Sequence, residues 1–108
     1  MANNFKNAIS KDVGTTPVTT YTSTGMKSML LNLNVANTAS SSISVTVQIL
    51  DSSASQTVTI IKEAPIPIGS SLNIENLKLV LESGDSLKIF SSVATSCDVI
   101  ASILQDVQ

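Results

Sequence analysis

The feature that most constrains the fold is an alternation of apolar and polar residues from Ile43 to Leu50. Ile43, Val45, Val47 and Ile49 fall on one side of an extended chain, and Ser44, Thr46 and Gln48 fall on the other. A period of two is that of a β-strand with one buried face. A helix, turning every ~3.6 residues, would scatter these side chains around its axis. The same period recurs elsewhere. Val18 to Thr22 is β-branched and aromatic, with Pro17 at its start, where the missing amide proton does little harm. Lys27 to Val35 places Met29, Leu31, Leu33 and Val35 on one face, and Asn32 and Asn34 on the other. Thr57 to Ile61 is β-branched. Leu72 and Ile74, then Leu77, Leu79 and Leu81, then Leu87 and Ile89, and finally Val99, Ala101 and Ile103 repeat the alternation.

Between these segments stand turn formers: Ser23-Thr24-Gly25, the Ser- and Asn-rich stretch from Ala36 to Ser42, Asp51 to Ser55, and Ser83-Gly84-Asp85. Glycine tolerates positive φ, and Asp and Ser bond to nearby backbone, so these read as loops. Pro65-Ile66-Pro67 lacks two ladder donors and reads as a crossing connection or a bend at a sheet edge. About eight short strands at regular spacing predict an all-β chain: a single-domain β-sandwich or jelly-roll-like fold over residues 15–108. Residues 1–14 read as an irregular N-terminal arm, with Phe5 and Ile9 as its large apolar groups. The phase of each alternation predicts a core of Leu31, Leu33, Val45, Val47, Ile49, Leu79, Leu81, Leu87, Ile89 and Ile103.

Composition bears on function mainly by what it withholds. In 108 residues there is no His, no Trp and one cysteine, Cys97. Without His there is no Ser-His or Cys-His pair to activate a nucleophile, and one Cys leaves no zinc set within a chain. Cys97 reads as a small buried hydrophobe. The carboxylates Asp51, Glu63, Glu75, Glu82, Asp85 and Asp98 are spread over turns and strand ends, not paired as acid–base catalysis requires. The glycines are dispersed at turns and form no phosphate loop. The chain thus reads as a non-enzyme that uses no cofactor or metal. Six lysines, scattered and without arginine, make a poor nucleic-acid surface. No apolar run is long enough for a membrane helix, and Met1 to Ile9 lacks the apolar stretch of a secretory signal.

Charged residues are 13% of the chain, against about 25% in an average domain, so much of the surface is neutral or apolar. Such a surface suits packing against other subunits. The phase assignment leaves Leu30, Val80, Phe90, Ile100 and Leu104 opposite the core. With Phe5 and Ile9 they make up the candidate interface, and a homo-oligomer is expected.

One ordered series goes further. Gly14-Thr15-Thr16-Pro17-Val18-Thr19-Thr20-Tyr21-Thr22 is followed by Leu33-Asn34-Val35-Ala36-Asn37-Thr38, then by Lys62-Glu63-Ala64-Pro65-Ile66-Pro67-Ile68-Gly69-Ser70-Ser71-Leu72. Lys78-Leu79-Val80-Leu81-Glu82-Ser83-Gly84-Asp85-Ser86-Leu87-Lys88-Ile89 and Asp98-Val99-Ile100-Ala101-Ser102-Ile103-Leu104 complete it. From Phe5 to Leu104 the chain resembles a family of small β-rich virion structural proteins of tailed bacteriophages, of the marine and cyanobacterial type. The resemblance implies a structural component of the virion, made in the host bacterial cytoplasm. Its partners would be other virion proteins: major capsid, neck or tail subunits. An accessory head or neck role, such as capsid decoration or cementing, comes first, with a trimer as the closed form. A tail or baseplate protein and a host-surface glycan-binding module are the alternatives. The family carries no catalytic residues to transfer.

Overall fold

The computed structural model describes residues 4–75 and 77–107. They form nine strands: β1 (Asn4–Val13), β2 (Val18–Thr22), β3 (Lys27–Asn37), β4 (Ile43–Asp51), β5 (Gln56–Ile66), β6 (Ser71–Ile74), β7 (Leu79–Leu81), β8 (Ser86–Ser91) and β9 (Cys97–Val107). Among the described residues there is no helix. Two antiparallel sheets face each other. One runs β1-β9-β3-β6 with β7 also on β3, and the other runs β2-β8-β4-β5.

β6 and β7 pair with different stretches of β3, residues 33–36 and 28–30, and act as two pieces of one strand. Counted so, the first strand pairs with the last, the second with the second-last, the third with the third-last, and the middle two with each other. The connectivity is that of a long hairpin folded over into two layers, which is the jelly-roll arrangement.

The two inner faces share one core. Leu33, Val45, Val47, Leu81, Leu87, Ile89 and Ile103 are buried as the alternations predict, and Ile49 and Leu79 pack half-buried against them. Tyr21, Ile66 and Val99 complete the wall. The core is almost wholly aliphatic. Burying one such side chain contributes about 1.5–3 kcal/mol.

The polar groups inside are all paired: among the described residues no buried side-chain nitrogen or oxygen lacks a hydrogen-bond partner. Tyr21 Oη lies 2.8 Å from Ser28 Oγ and accepts from Gln105 Nε2 at 2.8 Å, tying β2 to β3 and β9. Asn37 joins the sheets at the other side. Its amide hydrogens are shared among the carbonyls of Ser41 (2.9 Å), Ile66 (3.0 Å) and Pro67 (3.2 Å), while its Oδ1 accepts from the Ala39 amide at 2.8 Å. Buried Asp85 accepts from the Ser52 and Glu82 amides, both at 3.0 Å, and so pins the loop after β7 to the β4–β5 turn. In that turn, hydrogen bonds from Ser53 and from the Ala54 amide hold the exposed Asp51 carboxyl below its usual range.

Three expectations are corrected. The N-terminal segment is not irregular: residues 4–13 are β1, laddered to β9, and residues 1–3 lie outside the described residues. The ladder fixes this strand, while its inward positions Ala8 and Ser10 are too small and polar to give an apolar stripe. Ser10 Oγ also meets Thr20 Oγ1 of β2 at 2.9 Å.

Second, Leu30 is core, at 1% exposure, whereas Leu31 is only half-buried. The β3–β9 ladder shifts register between Leu30 and Asn32, so Leu31 is an extra residue and the phase reverses there. Third, of the two readings of the Pro65 segment, a crossing connection or a bend at a sheet edge, the crossing is the one that fails. β5 continues through it to Ile66, on the sheet edge where a missing donor is tolerated.

Candidate functional site

The two outer faces differ in chemistry. On the five-stranded sheet, register places Phe5 opposite Leu104, Leu104 opposite Met29, and Met29 opposite Val80. Four apolar side chains therefore form one row across β1, β9, β3 and β7. A second row begins Ile9–Ile100 and continues to Asn34 and Asn73. Between them lies a neutral polar row, Asn7–Ser102–Asn32.

Phe5 (76% exposed), Ile9 (67%), Val80 (55%) and Ile100 (46%) are all strongly exposed here. Among the described residues, the remaining exposed large apolar ones are Met26, Val58, Ile68 and Val93, which sit in turns or on the β5 edge. Near one end of this face Lys11 and Asp98 form an ion pair at 3.5 Å. It is exposed, so its contribution to stability is small.

The structure thus brings together five of the candidate interface residues: Phe5, Leu104 and Val80 in one row, Ile9 and Ile100 in the other. It separates two. Leu30 is in the core, and Phe90 lies on the far side of the molecule, opposite Thr46 in the β4–β8 ladder. Met29 was missed. The bulge at Leu31 puts it on the outer face, and only a phase break with two adjacent leucines, Leu30-Leu31, hints at that in the sequence.

The outer face of the four-stranded sheet is polar and indented. Phe90 lines a groove of about 440 Å³ together with Thr46, Gln48, Thr59, Lys62 and Glu63. The indentation has a local cause. β5 slips register against β4 on both sides of Val47, and Glu63 adopts φ 53°, in the left-handed region. Its amide donates to Thr46 Oγ1 at 3.1 Å instead of to a ladder carbonyl. Nothing in the spacing of Lys62 and Glu63 announces this.

Cys97 is fully buried, and burial, with the Asp98 charge adding to it, pushes its thiol up to about 11. It is protonated at neutral pH and is a poor nucleophile there. Among the described residues no three His, Cys, Asp or Glu side chains converge as metal ligands, and no helix is long and apolar enough to cross a membrane.

No protein-family model matches the chain, and no curated protein matches it in sequence. The likeness to phage virion proteins rests on the ordered residue series alone.

Proposed function

We propose that this chain is a non-enzymatic structural subunit of a bacteriophage particle, acting by burial of the outer face of its five-stranded sheet against a second copy of itself. The observation that carries this reading is the apolar row Phe5–Leu104–Met29–Val80, with Ile9–Ile100 beside it. Contiguous apolar surface on a weakly charged domain marks an interaction surface.

The size is suitable. Two strands of the face, β3 and β9, are 11 residues long. At about 3.3 Å per residue and about 4.8 Å per strand, the face measures roughly 36 by 19 Å. That is about 700 Å², close to the ~800 Å² each partner gives a standard interface. The intervening Asn7, Ser102 and Asn32 supply neutral donors and acceptors that can pair across it. A face packed on itself gives a two-fold pair. The trimer expected from the resemblance instead requires this face to meet a different patch of its neighbour. At fold level, jelly rolls serve in viral capsids, an analogy that supports the reading without carrying it.

The reading is tested by sedimentation. The wild type should associate at micromolar concentration, and Phe5→Glu combined with Ile100→Glu should give a folded monomer with an unchanged far-ultraviolet spectrum. A wild type that stays monomeric at the highest soluble concentration would refute self-association. Locating the subunit in a particle reconstruction then distinguishes an accessory head or neck role from a tail or baseplate one.

A further inference from the structure

The geometry points to a second site: the groove on the four-stranded sheet binds a short neutral oligosaccharide, with Phe90 as the stacking surface and Gln48, Lys62 and Glu63 as the hydrogen-bonding groups. The inference is independent of the self-association reading, because this groove opens on the opposite side and stays free when the other face is covered.

Four observations converge. The groove, at about 440 Å³, falls within the range of small-molecule sites, about 300–1,000 Å³. Its lining mixes one aromatic ring with hydroxyl and amide side chains. A sugar presents the complementary pair: an apolar C–H face for the ring and a rim of hydroxyls that both donate and accept. The charges in the lining are one ammonium, Lys62, and one carboxylate, Glu63, so the groove has no net charge with which to select an anion or a cation. Finally, the left-handed turn at Glu63, one of five non-glycine residues with positive φ among the described residues, sets its side chain at the groove wall and leaves the indentation that a ligand can enter.

Other occupants fit less well. A phosphate or nucleic-acid backbone would meet the Glu63 carboxylate. A purely apolar ligand would strip water from Thr46, Gln48 and Thr59 without returning hydrogen bonds. For an oligosaccharide, the groups remain available. Among the described residues, Lys62 and Glu63 make no ion pair, and the Gln48 amide makes one long contact, Nε2 to Thr59 Oγ1 at 3.4 Å.

The test uses the full chain and amide-resonance mapping by NMR. Maltotriose, cellotriose and triacetylchitotriose are each titrated to about 10 mM, a range that detects millimolar affinity. Inorganic phosphate and an oligothymidylate serve as anionic comparisons, and an array of neutral glycans widens the sugar search. We expect one neutral glycan to shift amides within 44–48, 59–63 and 90–92. Phe90→Ala should weaken that binding by at least about tenfold. Gln48→Ala, an exposed-face change that leaves the core intact, should weaken it as well. The inference is overturned if no neutral glycan binds, if phosphate or oligothymidylate shifts the same amides instead, or if the sugar-induced shifts survive both substitutions. Because the oligomer is read by sedimentation and the sugar by resonance shifts, either reading can fail without the other.

Discussion

The outer faces of the two sheets are built from strands of the same alternating type and share one core, yet they present opposite chemistry to solvent. On the five-stranded sheet one row, Phe5–Leu104–Met29–Val80, is wholly apolar and a second begins Ile9–Ile100 before passing to Asn34 and Asn73, with the neutral Asn7, Ser102 and Asn32 between them. Across the four-stranded sheet the corresponding positions are Thr19, Lys88, Gln48 and Thr59 in one row and Phe90 and Thr46 in the next. The inner faces must be apolar on both sheets, because they pack on each other. The outer faces are free of that constraint. A difference between them therefore reports on what each meets outside the molecule, which is why one is read as a subunit contact and the other as a ligand groove.

The largest effect is expected from cutting what the faces share. Leu33→Ala removes a fully buried side chain between the sheets and should cost about 2–5 kcal/mol in urea unfolding, depending on how far the cavity collapses. Val47→Ala on the opposite wall should cost about 1–3 kcal/mol, because fewer methyl groups are lost. Both should lower association and groove binding only through loss of folded protein. If either variant is as stable as wild type, the inward phase assigned to that strand is wrong.

A smaller change loosens the join between the sheets. Asn37→Ala leaves the Ile66 and Pro67 carbonyls and the Ala39 amide without their side-chain partner. It should cost about 1–3 kcal/mol, and exchange protection should fall first at the end of β5. An unchanged melting temperature would mean that water replaces the amide at no loss.

The Cys97 thiol supplies a pH handle on one sheet alone. Its value is raised from 9.0 to about 11 in the folded chain, so the unfolded chain ionises first. Its stabilising contribution is whole below pH 9 and is lost as pH rises from 9 towards about 11. A Cys97→Ala variant, which removes the titration, should show a flatter stability profile over that window. Equal slopes for the two proteins would show that the thiol does not carry the effect.

The smallest effects on stability separate the faces most cleanly. Val80→Ser and Thr59→Ser, one on each outer face, should each shift unfolding by less than about 0.5 kcal/mol. Only Val80→Ser should weaken association. Comparable weakening by Thr59→Ser would erase the contrast between the faces.

Part of this was legible in the residues alone. The all-β class, the approximate strand positions and seven of the ten expected core residues follow from the period of two, because a strand with one buried face has no other way to be written. That Val80, Ile100 and Leu104 lie opposite the core also follows from phase, whereas Phe5 and Ile9 are legible only as the large apolar groups of a segment that reads as irregular. What the tertiary structure decided is where phase breaks and what comes to lie beside what. The extra residue at Leu31 sends Leu30 inward and Met29 outward, and alternation cannot register a bulge where two leucines, Leu30 and Leu31, stand side by side. β1 is a strand because β9 offers it a ladder, an interaction with residues almost the whole chain away. The groove exists because Glu63 turns left-handed against Thr46, a hydrogen bond between residues 17 apart. Each of these is a pairing between distant segments. The sequence determines local periodicity, but register is settled only when the strands meet.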